Sequence, residues 1–311
     1  MFESFANTAE MSRGEWLDVR RLGIGGSDAA VILGFNKWKS PFQLYLEKTG
    51  EYNEELDNEF IYWGNILEDV VAKEFQERTG KKVRKKNQML RHKEHQFMTA
   101  NLDRVVVGEK AFLECKTTSA YKTDDWEGDE IPAAYLCQVQ HYMAVTGFEK
   151  AYIAVLIGGN KFVWKEIERD EELIEIMIER EKYFWENHVL AKVPPEIDGS
   201  DAAVQFLSQR YKDDDGTTIT LGDDSEQLLE AIESLKDEIG TLEEQKKKYE
   251  NEVKLKLEHS AEAVTRNFQV KYKTITANRI DSKLLKNEMP DIYKKYTKES
   301  RSRRFSYKKV N

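Results

Sequence analysis

Cysteine is nearly missing from this chain: Cys115 and Cys137 are the only two in 311 residues. Two cysteines build neither a disulfide framework nor a four-cysteine zinc or iron–sulfur site within one chain, and Cys115 reads as an ordinary small buried residue. Long apolar runs are missing too. No stretch reaches the roughly 18 apolar residues that a membrane-spanning helix needs, and the opening MFESFANTAEMSRGEW lacks a basic segment followed by an apolar core. Neither a membrane span nor a signal peptide is expected, and the expected location is the cytoplasm. Nor is there an excess of positive charge. The formal net charge of −9 argues against a general nucleic-acid coat.

That charge is unevenly spread. From Arg266 to Asn311 there are 14 Lys and Arg against four Asp and Glu, whereas Asp223 to Glu262 carries 13 acids and six bases. With 40% hydrophobic and 34% charged residues, the chain has room for one large domain with an appendage, or for two domains.

Asn101 to Ser119, NLDRVVVGEKAFLECKTTS, reads as a β-hairpin, two runs of β-branched and aromatic residues around a glycine turn. If Gly108-Glu109 forms a two-residue turn, Val107 faces Lys110, Val105 faces Phe112, and Asp103 faces Glu114. Lys116, two residues beyond Glu114, points the same way. Like charges opposed across a sheet are destabilising and burial adds a desolvation penalty, so the pattern calls for a compensating cation. A divalent metal fits.

Other segments read more simply. In Trp16 to Gly50, Ser27 followed by Asp28 and an apolar run reads as a helix N-cap. Gly25-Gly26 permits backbone amides to face an anion, although the local sequence favours a plain glycine turn ahead of a short helix. Asn58 to Gly80 has the helical recurrence Phe60, Gly64, Leu67, Val71, Phe75, with both Glu68 and Glu74 close to the stripe. Ala133 to Gly147 is a helix starting after Pro132 and ending at glycine, with Gln138 and Tyr142 on one face. Ala151–Gly158 and Lys161–Ile167 form a second hairpin around Gly159-Asn160, and Glu171 to Leu190 is a further helix before Pro194-Pro195. Helix, hairpin, helix, hairpin, helix predicts an α/β fold, a mixed sheet flanked by helices.

Residues 201–222 read as a linker region. Beyond it Leu228, Ile232, Leu235, Ile239, Leu242, Tyr249 and Val253 recur at threes and fours, with Lys246 interrupting, so 223–258 is expected to form a coiled-coil-like helix serving packing or assembly. The segment 259–311 is basic, and Asn267 to Ala277 within it alternates like an edge hairpin.

Asp103 followed by Glu114-Cys115-Lys116 matches the D…(D/E)xK pattern of the PD-(D/E)xK nuclease superfamily. Together with RRLGIGGSDAAVILG, GNILEDVVAKEF, NLDRVV, LECKT and QVQHYMAVTG in that order, it resembles the YqaJ-type viral recombinase nucleases, relatives of the exonuclease of bacteriophage lambda. The match runs from about Trp16 to Pro195, and makes 1–200 a nuclease domain of that fold. The resemblance implies a Mg²⁺-dependent enzyme, with Mn²⁺ as a possible substitute, that degrades one strand of linear duplex DNA from the 5′ end and leaves single-stranded DNA for a strand-annealing recombinase. A DNA-end-binding or recombinase-recruiting protein that does not cut, or an endonuclease of the same fold, are the alternatives.

Carried over residue by residue, the resemblance gives Asp103, Glu114, Glu68 and the backbone carbonyl of Cys115 to the metal. Lys116 would orient water and offset phosphate charge, with a depressed pKa if it also served as base. Gln138 and Tyr142 would line the site. Ser27 with Arg20 or Arg21 would hold the terminal 5′-phosphate, Arg20 being preferred. Ring-shaped homotrimers in the lambda relative make a homo-oligomer a further expectation.

Overall fold

The computed structural model describes residues 2–52, 59–278, 280–298 and 302–308. The chain divides into two units, Met1–Tyr211 and Lys212–Asn311.

In the first unit β1 (Phe2–Asn7) precedes three helices, α1 (Arg13–Arg21), α2 (Gly26–Ile32) and α3 (Pro41–Thr49). Ser12 caps α1 in a reciprocal box with Glu15, satisfying two amides that the first turn leaves open. Ser40 and Pro41 start α3, and Gly50 ends it at φ 78°, where a side chain would be strained. The long α4 (Glu59–Thr79) leads into β2 (Val83–Lys85), β3 (Gln88–His92), β4 (Thr99–Asn101), β5 (Arg104–Val106) and β6 (Ala111–Thr118). Then come α5 (Ala133–Thr146), β7 (Lys150–Ile157), β8 (Lys161–Glu168), α6 (Glu171–Phe184) and α7 (Asp201–Arg210).

The central sheet has five strands in the order β2-β5-β6-β7-β8. Only β6 and β7 run parallel, Glu114 in register with Ile153 and Lys116 with Val155. Parallel neighbours require a crossover, and α5 supplies it, lying on one face while α4 covers the other. Alternation along β6 then sorts the side chains. Phe112 joins Val139, Tyr142 and Met143 in the core beneath α5; Leu113 joins Val71, Ala72 and Phe75 beneath α4. Glu114 and Lys116 share the parity of Phe112. The mixed sheet between helices is the architecture that the alternation of helices and hairpins predicts.

Several details differ from expectation. The first strand of the predicted hairpin is broken. Thr99–Asn101 belongs to a separate three-stranded sheet with β1 and β3, Arg104–Val106 belongs to the central one, and Asp103 sits in the bend between them. The turn itself is as expected: Val105 faces Phe112, and residues 107–110 form the turn about Gly108-Glu109, with Gly108 at φ 86°. The stripe on α4 is buried only in its second half: Val71 and Phe75 are enclosed, while Phe60 is 86% exposed. Asn58, its expected start, lies outside the described residues. The expected linker is shorter, because α7 packs onto the first unit, its Phe206 edge-on to both Phe42 and Tyr52.

The second unit contains α8 (Asp223–Leu257), β9 (Glu262–Val264), β10 (Gln269–Lys271), α9 (Ser282–Glu288) and α10 (Pro290–Tyr296). The strand read at Gln269–Lys271 pairs with the upstream β9, so the hairpin begins before Asn267. No helix among the described residues is long and apolar enough to cross a membrane.

Candidate active site

Glu114 is the centre of a polar cluster closed between β6 and α5. It is buried at 2% exposure. Its Oε1 accepts from Lys116 Nζ at 2.7 Å and from Gln138 Nε2 at 2.6 Å, while Gln138 Oε1 accepts from Lys116 at 3.0 Å. Gln138 Nε2 also reaches the Tyr142 hydroxyl at 3.4 Å. The helical face carrying Gln138 and Tyr142 meets this acid because the crossover helix must lie over the parallel pair. Glu114 Oε2 has no hydrogen-bond partner. A buried carboxylate oxygen left open is costly, which marks where a ligand would be stabilising.

Asp103 approaches from the bend before β5. Its Oδ2 accepts the Cys115 amide at 2.8 Å, which fixes the acid against β6. Burial, then the neighbouring Glu114, raises the Asp103 pKa well above the usual carboxylate range. Glu114 is raised as well, by burial first, despite Lys116. Two neighbouring acids that resist ionising together, one buried and one half-buried, fit a hard cation, whose charge would let both ionise.

Lys116 departs from the depressed pKa expected of a base. Burial disfavours its charge, but Glu114 and Asp103 outweigh that and raise its pKa. Its Nζ lies 5.0 Å from the Tyr135 ring centroid. The Tyr142 pKa is raised by burial and then by Glu114 and Asp103, so its phenol keeps its proton.

Glu68 is directed elsewhere. It pairs with Arg104, which also binds Asp69 and donates to the Asp103 carbonyl at 2.6 Å. Among the described residues no three His, Cys, Asp or Glu side chains converge as a metal-binding group. Asp103 and Glu114 form the acid pair, with Glu68 held beside it through Arg104; Glu74 pairs instead with Arg78 on the exposed helix surface. Arg104 follows Asp103 directly and is 4% exposed, a burial that no local sequence pattern signals.

The second cluster lies at the start of α2. Arg20 Nη2 donates to Ser27 Oγ at 2.5 Å and to Asp28 Oδ1 at 3.1 Å. Lys48 Nζ pairs with Asp28 Oδ2 at 2.6 Å and donates to the carbonyls of Arg20 and Gly23 at 3.0 and 2.6 Å. Burial alone would protonate Asp28, but Lys48 and Arg20 hold its pKa far below normal. The N-cap is Gly25, two residues before Ser27, and its amide donates to Asp28 at 3.0 Å; this amide is therefore already engaged. Arg21 pairs with Asp18 at 2.6 Å, so the structure joins Arg20, rather than Arg21, to Ser27. A cavity of about 50 Å³ is lined by Trp16, Arg20, Ser27, Thr99, Asn101 and Tyr142 among others. Tyr142 thus borders both clusters.

The chain is 50% identical over 313 residues to the uncharacterized protein YqaJ of Bacillus subtilis strain 168, a match spanning 99% of this chain and 98% of that one. It belongs to the YqaJ family. The YqaJ-like viral recombinase domain matches residues 15–149, which hold Arg20, Ser27, Glu68, Asp103, Glu114, Lys116, Gln138 and Tyr142. Among solved structures, the alkaline exonuclease LHK-Exo of Laribacter hongkongensis is 18% identical with a TM-score of 0.48, covering 64% of this chain and 98% of that one. Its complex with dAMP is 20% identical with a TM-score of 0.49 over the same shares.

Proposed function

We propose that this YqaJ family member is a DNA nuclease that hydrolyses one strand of linear duplex DNA from a 5′-phosphorylated end, using Mg²⁺, with Mn²⁺ as substitute. The observation that carries the reading is the buried Glu114, paired with Lys116 and Gln138 through one oxygen and open at the other.

Asp103 and Glu114 would hold the metal, with the Cys115 carbonyl as a further oxygen donor and Glu68 available if released from Arg104. When bound, the cation supplies Lewis acidity, acidifying water and offsetting charge on the phosphodiester. Lys116, an ammonium, attracts a phosphate oxygen and holds it beside the acids. Gln138 fixes Lys116 and Glu114 at a constant separation. Tyr142 offers a protonated hydroxyl at the border with the Arg20 pocket, where guanidinium and Ser27 hydroxyl suit a terminal phosphate. The surviving strand would pass to a strand-annealing recombinase, a role supported by the viral recombinase description of the family.

The test is nucleotide release from linear duplex with Mg²⁺, comparing 5′-phosphate with 5′-hydroxyl ends and a closed circle. The phosphorylated strand is expected to disappear while circles persist. Asp103→Ala and Lys116→Ala should abolish release, Arg20→Ala should erase the preference for 5′-phosphate, and Arg21→Ala should retain it. Cleavage of circles would replace the exonuclease with an endonuclease. End binding without product under Mg²⁺ or Mn²⁺ would replace enzyme with adaptor.

A further inference from the structure

We propose that α8 pairs with the α8 of a second copy of this chain as an antiparallel two-stranded coiled coil. The inference concerns the second unit and stands independently of the nuclease reading.

The seam is a heptad repeat sustained along the helix. Leu228, Leu235, Leu242 and Tyr249 recur every seven residues, and Ile232, Ile239, Lys246 and Val253 recur every seven between them. This places three leucines and Tyr249 at d and β-branched residues at a, with one lysine interrupting. The stripe is open: Leu228, Leu235, Ile239 and Leu242 are between 54% and 66% exposed. An apolar stripe of this length on a helix of 35 residues is stable in water when a partner covers it. Among the described residues the tail does not cover these side chains: Tyr307 lies on the flank, at Glu233 and Lys236.

Charge selects both the partner and its direction. In a parallel pair of identical helices in register, g residues meet e residues of the following heptad, so Glu238 would face Glu243 of the partner helix, twice by symmetry. In an antiparallel pair centred between Ile239 and Leu242, e meets e, and Lys236 faces Glu243 twice. The g positions then meet as Glu238 with Gln245 and Ala231 with Glu252, none of them like-charged. The core layers are equally consistent: Ile239 on Leu242, Leu235 on the stem of Lys246, Ile232 on Tyr249, and Leu228 on Val253. Like charges across the parallel interface oppose it; opposite charges favour the antiparallel one.

A second observation agrees. A groove of about 340 Å³ runs beside the C-terminal end of α8, bordered by Tyr249, Val253, Leu257, Val270 and Tyr272 among others. The antiparallel register brings Leu228 of the other copy to this end. The apolar side chain that the N-terminal end exposes meets the apolar groove that the C-terminal end presents. The resulting assembly is a twofold dimer, in contrast to the ring-shaped trimer suggested by resemblance.

Sedimentation equilibrium of the full-length protein tests the pairing. A dimer is expected, and Leu242→Asp should shift it to monomer with the α8 helix signal reduced and the first unit's melting unchanged. Glu243→Lys sets Lys236 against a lysine twice, and should weaken the dimer about tenfold. The double variant Lys236→Glu, Glu243→Lys should restore it. A monomeric or trimeric wild type, or a dimer indifferent to Leu242→Asp, overturns the proposal. If Glu243→Lys tightens the dimer, the helices run parallel and the antiparallel assignment fails.

Discussion

Gln138 and Glu114 come from different elements yet meet at 2.6 Å, the amide nitrogen on α5 donating to the same carboxylate oxygen that accepts from Lys116. With its other atom the amide accepts from Lys116 at 3.0 Å. One side chain therefore sets the spacing of the acid and the ammonium. Replacing Gln138 by Leu keeps the volume near but removes both contacts. Nucleotide release should fall by about tenfold to a hundredfold, because misplacing reacting groups by a fraction of an ångström is costly. The check is steady-state release from a 5′-phosphorylated duplex at saturating Mg²⁺.

The acid pair makes the metal-free fold less stable as pH rises. Asp103 and Glu114 both have raised pKa values in the folded chain, so between the ordinary carboxylate range and those raised values the folded state binds more protons than the unfolded. Stability is then lost as pH rises through that window. Asp103→Asn retains an acceptor for the Cys115 amide and removes one charge. It should stabilise the metal-free protein at neutral pH, seen as a higher Tm, and flatten the pH dependence. Mg²⁺ should raise the wild-type melting temperature and leave that of the variant nearly unchanged. Thermal melts at several pH values, with chelator or Mg²⁺, decide both points.

Gly26 lets α2 lie directly on α5. A methyl group there would stand 2.7 Å from Tyr142 Cε1, 2.8 Å from Gln138 Cγ and 2.9 Å from the Gln138 carbonyl. Gly26→Ala must push the helices apart, at a cost of about 1–3 kcal/mol. Because Ser27 follows on the same helix, the displacement should weaken discrimination between 5′-phosphate and 5′-hydroxyl ends as well as stability. Ala at Gly64, which has nothing within 4 Å of the added carbon, is the control and should be tolerated.

Behind the site, His141 and Glu181 form a fully buried pair, Nδ1 to Oε1 at 2.9 Å, with His141 Nε2 at 2.9 Å from the Thr99 carbonyl. Thr99 in turn donates its amide to the Ile24 carbonyl at 2.8 Å, linking α5 to the segment ahead of Ser27. His141→Leu leaves the glutamate buried and uncompensated and should cost about 3–5 kcal/mol. Adding Glu181→Met should recover much of that, because an apolar pair of similar volume needs no partner. Urea denaturation of the single and double variants measures the difference.

Much of the site was legible in the sequence because its residues lie on regular elements with short repeats. Period two along Phe112, Glu114 and Lys116 shows that they share a face, and period 3.6 does the same for Gln138 and Tyr142. The broken strand at Asp103 was not legible. Val, Leu and Asn flank the bend as they would a continuous strand, and the switch between sheets depends on β3, which lies outside the segment. Phe60 fits the apolar stripe of α4 by spacing but is 86% exposed, since periodicity shows which side chains align and leaves open how far along the helix the core extends.

The sequence by itself determined the element order, the family motifs and the acid, amide and lysine side chains that make up the site, because local periodicity and residue chemistry are properties of the chain. Tertiary structure decided which of several equivalent residues come together. Arg20 rather than Arg21 reaches Ser27, and Glu68 rather than Glu74 stands beside the acids. Each outcome depends on distances between segments far apart in the chain and on burial, which changes the energy of a charge by more than any local pattern can encode.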